Sequence, residues 1–142
     1  MMTAKEYLKQ YENAVKMVAR VQREYNEQLE EIDNIRSSLD GDGLPHGGEI
    51  SRKVESQAIK LAEKAEELMD AEIIAVRIRQ EIFSRLLAIT GEVGDVLVER
   101  YINLRTWEDV ADQVGYSVRH VHNLHKVGLE EVKKILDLHN IA

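Results

Sequence analysis

The sequence predicts an all-α protein, with a long, coiled-coil-like antiparallel helical hairpin followed by a compact C-terminal helical bundle. Three observations lead to this fold class. Apolar residues recur every three or four positions through two long stretches. Residues 37–51 separate these stretches and hold four of the eight glycines and the only proline. Two capped helical segments joined by a tight turn follow near the end of the chain. We therefore predict two domains, residues 1–90 and residues 91–142.

Composition narrows the class of protein. The chain has 142 residues, no cysteine and a net charge of −7, and no apolar run approaches the roughly 18 residues of a membrane span. The first residues lack the apolar core of a secretory signal, so we expect a cytoplasmic protein without disulfides. The net negative charge comes from residues 1–99, whereas residues 100–142 have a net charge of zero and hold four of the five histidines. Phosphate groups would not repel this neutral end.

The first long helix is expected from about Thr3 to Leu39, which gives a length of roughly 55 Å at 1.5 Å per residue. Its apolar spacing is that of a coiled coil over about four heptads. Gln22 and Arg36 occupy two positions of this register in place of apolar residues. The apolar positions are Leu8, Tyr11, Val15, Val18, Tyr25, Leu29, Ile32 and Leu39.

The interruption over residues 37–51 is interpreted as a solvated connector. Its Asp-Gly-Asp-Gly start at Asp40 is similar to the opening of a calcium loop, but such a loop requires a glutamate where this chain has Ser51. A glycine-rich phosphate loop would follow a strand, and a helix precedes this segment.

The second long helix is expected to begin near Ser51 and to pack antiparallel to the first. This pairing would place Leu29 near Leu61 and Leu8 near Ile82. The register also puts Glu72 and Arg79 among the buried positions, where we expect them to meet residues of another helix. The full register is Val54, Ala58, Leu61, Ala65, Leu68, Glu72, Ala75, Arg79, Ile82, Leu86 and Ile89.

The apolar face of this helix broadens between Met69 and Phe83, so more than one neighbour should cover it. Either the C-terminal helices pack there, or the surface serves self-association or a partner, and the residues leave both interpretations open. The pair Thr90-Gly91 ends the helix, and a shorter helix is expected over about Glu92–Asn103.

The segment from Thr106 to Leu136 reads as two helices joined by a turn. Thr106 can cap the first helix, and Asp109 stands three residues on, where a capping box has Glu or Gln. Gly115 supplies the conformational freedom of the turn, and Ser117 caps the next helix. This arrangement is typical of a DNA-binding helix-turn-helix, whose second helix lies in the major groove. Its inward stripe is Val121, Leu124, Gly128 or Leu129, and Val132.

At these residues the chain resembles the fourth conserved region of sigma-70-type RNA polymerase sigma factors, which reads the −35 promoter element. The resemblance runs without a gap from Thr106 to Val132, through the opening TWEDVA, the turn QVGYS and the recognition helix VRHVHNLHK. Sigma-like ends on a helical N-terminal half also resemble small phage and prophage proteins, some of them late-gene activators. The resemblance implies a transcription regulator that binds double-stranded DNA and contacts RNA polymerase. The broad apolar surface of the hairpin suggests that the hairpin forms a homo-oligomer or docks a partner.

The resemblance also implies which residues contact DNA. The major-groove positions fall on Val118, Arg119, His122 and Asn123. Arg119 can donate twice to guanine, Asn123 can pair with adenine, and Val118 can touch a thymine methyl group. His122 and Lys126 would contact phosphate or base, and Thr106 and Ser117 would meet phosphates at helix starts. His120 and His125 are expected to flank this face, so that binding would strengthen as the histidines gain charge.

No catalytic motif is present, and we expect neither an enzyme nor a cofactor or small-molecule substrate. His120, His122 and His125 do not form a zinc set, because His120 points about 200° away from His122 on a helix and no cysteine joins them. Two alternatives to a transcription regulator remain. One is a phage DNA-packaging protein of the small-terminase kind, and the other is a helical protein-interaction module without DNA contact.

Overall fold

The computed structural model describes residues 2–40 and 48–139, and these residues confirm the all-α class, because they form five α-helices and no strand. The first two helices, α1 (Ala4–Asp40) and α2 (Gly48–Leu86), are the long helices of the predicted hairpin. Both extend a few residues into the expected connector. Residues 41–47, which carry most of the rejected calcium-loop and phosphate-loop motifs, lie outside the described residues.

A capping box fixes the start of α1. The Thr3 hydroxyl oxygen accepts from the Glu6 backbone N–H at 3.1 Å, and the Glu6 carboxylate accepts from the Thr3 backbone N–H at 3.2 Å. The two residues therefore satisfy each other's free backbone donors at the helix start. The Thr-x-x-Glu pattern at residues 3–6 is a capping-box signal that the sequence-based prediction of the first helix did not use.

The remaining helices are shorter. They are α3 (Gly91–Leu97), α4 (Trp107–Val114) and α5 (Val118–Leu138). The single helix expected over residues 92–103 changes character midway, because α3 continues as a π-helical turn over Val98–Ile102. Such turns are rare and occur frequently at functional sites.

Packing divides the chain into two compact units. Unit 1 comprises Met1–Ala14 and Ala75–Ala142, and unit 2 comprises Val15–Ile74. The expected boundary between residues 90 and 91 does not coincide with this division, because residues 75–90 group with the C-terminal helices.

Unit 1 has a layered core. One buried cluster joins the start of α1 and the end of α2 to the C-terminal helices, and it contains both Leu8 and Ile82, which were expected to lie close together. A second cluster joins α3, α4 and α5 through Val96, Val110, Ala111 and Val121. The first cluster consists of Tyr7, Leu8, Ile82, Leu86, Leu97, Tyr101, Ile102, Val132 and Leu136.

Unit 2 corrects part of the predicted hairpin register. Leu29 was expected in the seam between the two helices but is 39% exposed, and Glu72 was expected to be buried but is exposed. The polar residues Gln57 and Lys64 lie half-buried instead of Ala58 and Ala65.

The reason is the polar partners that α1 offers. The Gln28 amide hydrogen-bonds to the Gln57 amide, and Lys64 Nζ lies 2.9 Å from Glu24 Oε2. The predicted positions Val54, Leu61 and Leu68 remain half-buried, so these pairs change only the alternate positions of the predicted register. Arg79, which lies in unit 1, is likewise exposed rather than buried, and its guanidinium lies 5.9 Å from the centre of the Phe83 ring.

The broad apolar surface of α2 is covered in part. Ile78 and Phe83 pack against the unit 1 core, as expected if the C-terminal helices lie there. By contrast Met69, Ile73 and Ile74 of unit 2 are 43–62% exposed. Among the described residues no helix is both long and apolar enough to cross a membrane.

Candidate nucleic-acid interface

The predicted caps and turn of α4 are confirmed. The Thr106 hydroxyl oxygen accepts from the Asp109 backbone N–H at 3.2 Å. The helix ends at Gly115, which has a φ of +78°, a conformation that side chains other than glycine rarely adopt. The backbone N–H groups of Gly115 and Tyr116 both donate to the carbonyl of Ala111, which closes the helix and turns the chain toward α5.

The start of α5 is capped in the same way, because the Ser117 hydroxyl oxygen accepts from the His120 backbone N–H at 3.1 Å. Val121 is fully buried and Val132 is 3% exposed, as the predicted inward stripe requires. Gly128 allows close packing, since a Cβ atom there would lie 2.9 Å from the Leu97 side chain. One face of α5 is therefore held firmly by its neighbours in unit 1.

The opposite face of α5 carries the predicted contact residues. Five of them are exposed at the start of this helix, and Thr106 and Ser117 are exposed at the two helix starts. Each of those two hydroxyl groups accepts from its own helix and still has an O–H to donate. Val118 is half-buried against the second core cluster, so only part of its side chain is accessible. The exposed five are Arg119, His120, His122, Asn123 and Lys126.

These five side chains fall into two groups. Among the described residues, Arg119, Asn123 and Lys126 have no hydrogen-bonding or ion-pair partner. The two histidines rest on aromatic rings: His122 lies 4.6 Å from Trp107, and His120 lies 4.6 Å from Tyr116, measured between ring centres. The surface thus combines free polar groups with two supported imidazoles.

His125 does not flank the exposed face, and this prediction was wrong. It is only 8% exposed, and its Nε2 atom shares a hydrogen bond of 2.6 Å with the Tyr101 hydroxyl. Burial lowers the pKa of His125 to about 4 and raises the pKa of Tyr101 to about 12. His125 is therefore neutral between pH 6 and pH 8 and cannot contribute charge to DNA binding there.

The segment between α3 and α4 carries residues that sequence reasoning missed. The Arg100 guanidinium lies 4.6 Å from the centre of the Trp107 ring and donates from Nη1 to the Arg105 carbonyl at 2.7 Å. Arg105 in turn donates from Nε to a Glu99 carboxylate oxygen at 2.5 Å. Leu104 adopts a φ of +55°, an uncommon conformation for a non-glycine residue. The only available signal was a tryptophan at the start of α4, together with histidines three residues apart on α5.

A groove lies on another part of unit 1, with a volume of about 470 Å³. Three carboxylates line it, from Glu92, Asp95 and Glu99, and the Tyr116 hydroxyl donates a hydrogen bond to Glu92. This hydrogen bond raises the pKa of Tyr116. The rest of the lining is mainly apolar, from Phe83, Leu87, Val98 and Val114. The groove therefore combines apolar side chains with the carboxylates of Glu92 and Asp95, while the carboxylate of Glu99 is paired with Arg105.

Within the described part of the chain, no three His, Asp or Glu side chains are grouped so as to hold a metal ion. His120 and His125 are separated by burial as well as by direction, since one faces solvent and the other the core.

Comparison with known proteins relates the chain to a bacterial sigma factor over part of its length. The chain is 30% identical over 56 residues to the RNA polymerase sigma factor SigO of Bacillus subtilis. The match covers 39% of this chain and 32% of SigO, so the chain spans about a third of the relative it matches. No protein-family model matches the chain, and no solved structure matches it. The similarity is therefore to part of a sigma factor, in a chain whose described residues are mostly helical.

Proposed function

We propose that unit 1 is a sequence-specific double-stranded DNA-binding module of a transcription regulator, which reads bases with the exposed face of α5 in the major groove. The observation that carries this proposal is the two-sided character of α5. Its apolar face is held by α3 and α4, while Arg119, Asn123 and Lys126 stand exposed and without a partner among the described residues. A binding role rather than catalysis fits this surface, because unpaired polar groups on a rigid helix can pair with base edges.

The roles of the side chains follow from their chemistry. Arg119 donates two hydrogen bonds to guanine, and Asn123 pairs with adenine. Lys126 contacts phosphate, and the hydroxyl groups of Thr106 and Ser117 donate to phosphates near the helix starts. Val118 contributes less than the sequence suggested, because much of its surface is covered by packing against the second core cluster.

The test is selection from random duplex DNA with the purified full chain, followed by affinity measurements on the selected site. Arg119→Ala and Asn123→Ala should each weaken binding to that site by about 1–3 kcal/mol, and each should relax the preference at a different base pair. Lys133→Ala is a matched control, because Lys133 is exposed further along α5 and its loss removes the same charge as Arg119→Ala. Failure to retain any sequence, or equal losses in all three variants, would contradict the assignment.

Two histidines also lie on the proposed DNA face. His120 and His122 are exposed there, and each imidazole can hydrogen-bond to a phosphate or to a base edge. His125 does not take part, because it is buried. A variant with His120→Ala and His122→Ala should therefore bind the selected site more weakly than the wild-type chain at the same ionic strength. Unchanged affinity in that variant would remove the histidines from the interface.

We further propose that the acidic groove contacts RNA polymerase. The similarity to part of a sigma factor favours polymerase as the partner, and the carboxylates of Glu92 and Asp95 are unfavourable neighbours for DNA phosphates. Asp95→Arg should weaken binding of the chain to purified core polymerase while leaving DNA affinity unchanged, and Arg119→Ala should do the opposite. Equal effects of Asp95→Arg on both ligands would point to misfolding rather than to a separate surface.

The exposed apolar side chains of Met69, Ile73 and Ile74 suit self-association. The mass of the protein in sedimentation experiments therefore distinguishes a transcription regulator from a DNA-packaging protein. A monomer or dimer fits a regulator, and a ring of many subunits fits a DNA-packaging protein.

A further inference from the structure

The two histidines of the proposed DNA face differ from its other polar residues in being supported by rings. His122 is the more firmly supported, because the ring beneath it is itself fixed. Trp107 contacts His122 on one side, with ring centres 4.6 Å apart, and His125 on another, also at 4.6 Å. The Arg100 guanidinium lies 4.6 Å from the same indole.

His125 and Arg100, which contact Trp107, are themselves held by hydrogen bonds. The His125 ring is buried and shares its hydrogen bond with the Tyr101 hydroxyl at 2.6 Å, and Tyr101 belongs to the main core cluster of unit 1. Arg100 is held by its hydrogen bond to the Arg105 carbonyl at 2.7 Å. A continuous series of contacts therefore runs from the core, through Tyr101, His125 and Trp107, to an imidazole on the surface.

We propose that Trp107 is a positioning residue for DNA specificity, which holds the His122 imidazole in the orientation that reads one base pair. This inference rests on the proposed function and names a residue within it that does not touch DNA. A side chain that is already ordered loses little conformational freedom on binding, so its hydrogen bond discriminates between bases. A free side chain can instead move to whichever acceptor is closest. On this argument His122 contributes selectivity, whereas flexible Lys126 contributes attraction to phosphate.

The experiment uses the full chain and the duplex obtained by selection, with single base-pair changes along the site. His122→Ala identifies the base pair that His122 reads. Trp107→Leu should then reduce discrimination at this same base pair by about tenfold, which is within the usual cost of one mismatched pair, and should leave the Arg119-dependent position unchanged. Trp107→Phe keeps an aromatic ring and should retain most of the discrimination. Adding Trp107→Leu to His122→Ala should cause no further loss at that base pair.

A uniform loss of affinity across all duplexes in Trp107→Leu, with discrimination intact, would overturn the inference and leave Trp107 as a residue of the fold alone. Circular dichroism and thermal melting establish that each variant is folded before its DNA binding is compared.

A second measurement needs no DNA. The proton NMR signals of the His122 ring, assigned by their loss in His122→Ala, should be displaced by the ring current of Trp107 and should move toward free-histidine positions in Trp107→Leu. Unmoved signals would overturn the positioning role. If the wild-type chain selects no sequence, the proposed function fails. If it selects a sequence but Trp107→Leu changes neither the base-pair discrimination nor the His122 signals, only the positioning role of Trp107 fails.

Discussion

The two compact units differ in how they are stabilised. Unit 1 contains nearly all of the fully buried apolar side chains among the described residues, arranged in two clusters that several helices share. Among the described residues of unit 2 the buried apolar ones are Val21 and Ile32, and the rest of the seam between α1 and α2 includes polar pairs. Burial of apolar surface is the main favourable term in folding, so unit 1 has a core to support a rigid surface and unit 2 has little. This is consistent with placing the proposed DNA-reading surface on unit 1.

The largest effect should come from removing matched leucines in the two units. Leu97→Ala in unit 1 removes a fully buried side chain and should lower the free energy of unfolding by about 2–5 kcal/mol. Leu29→Ala in unit 2 removes a side chain that is 39% exposed and should cost less than about 1 kcal/mol. Denaturant unfolding of both variants measures this difference. Equal losses would mean that unit 2 has a core comparable to that of unit 1.

A smaller effect should appear as pH dependence in unit 1. The pKa of His125 is lowered from 6.5 to about 4, so the unfolded chain binds a proton more readily than the folded chain between these values. The contribution of neutral His125 to the free energy of unfolding is therefore fully present above pH 6.5. It is lost as the pH falls toward 4, and the loss is at most about 3 kcal/mol.

Carboxylates also titrate in this range, so the comparison must be with a variant. His125→Leu should show a shallower loss of stability between pH 6.5 and pH 4 than the wild-type chain. Parallel curves for His125→Leu and the wild type would contradict the buried, neutral state of His125. Hydrogen-exchange rates of amides in unit 2 should show no change attributable to this histidine.

The smallest effect should come from the polar seam of unit 2. Replacing both Gln28 and Gln57 with leucine should change stability by less than about 1 kcal/mol, because a hydrogen-bonded pair exchanged for an apolar pair of similar size is nearly neutral. Replacing Gln57 alone should be less favourable, since Gln28 is then left half-buried without its partner. Native-state hydrogen exchange over residues 15–38 and 51–74 measures these changes locally. A large loss in the double variant would show that the amide pair, rather than apolar contact, stabilises the seam.

The sequence was informative wherever a signal acts within a few residues. The caps at Thr106 and Ser117 and the left-handed residue Gly115 were correctly predicted, because each is a hydrogen bond or a backbone conformation set by its immediate neighbours. The apolar stripe of α5 and the exposure of Arg119, His122 and Asn123 were also correct, since helical periodicity fixes which residues share a face.

The sequence was less informative wherever a side chain had two acceptable environments. Gln57 and Lys64 compete with Ala58 and Ala65 for the seam, and only the presence of Gln28 and Glu24 on the other helix decides between them. His125 can face either water or a core, and the Tyr101 hydroxyl twenty-four positions away decides that it is buried. The π-helical turn after α3 has no signal in hydrophobic spacing.

The amino-acid sequence by itself determined that this protein is helical, where its C-terminal helices begin and turn, and which side of α5 is polar. These properties depend on local hydrogen bonding, backbone freedom and the 3.6-residue repeat, all of which act along the chain. The tertiary structure alone decided that His125 lies in the core, that Trp107 supports His122, and that an acidic groove forms beside Tyr116. Those contacts join residues from different helices, and their free energies exist only once the helices have packed.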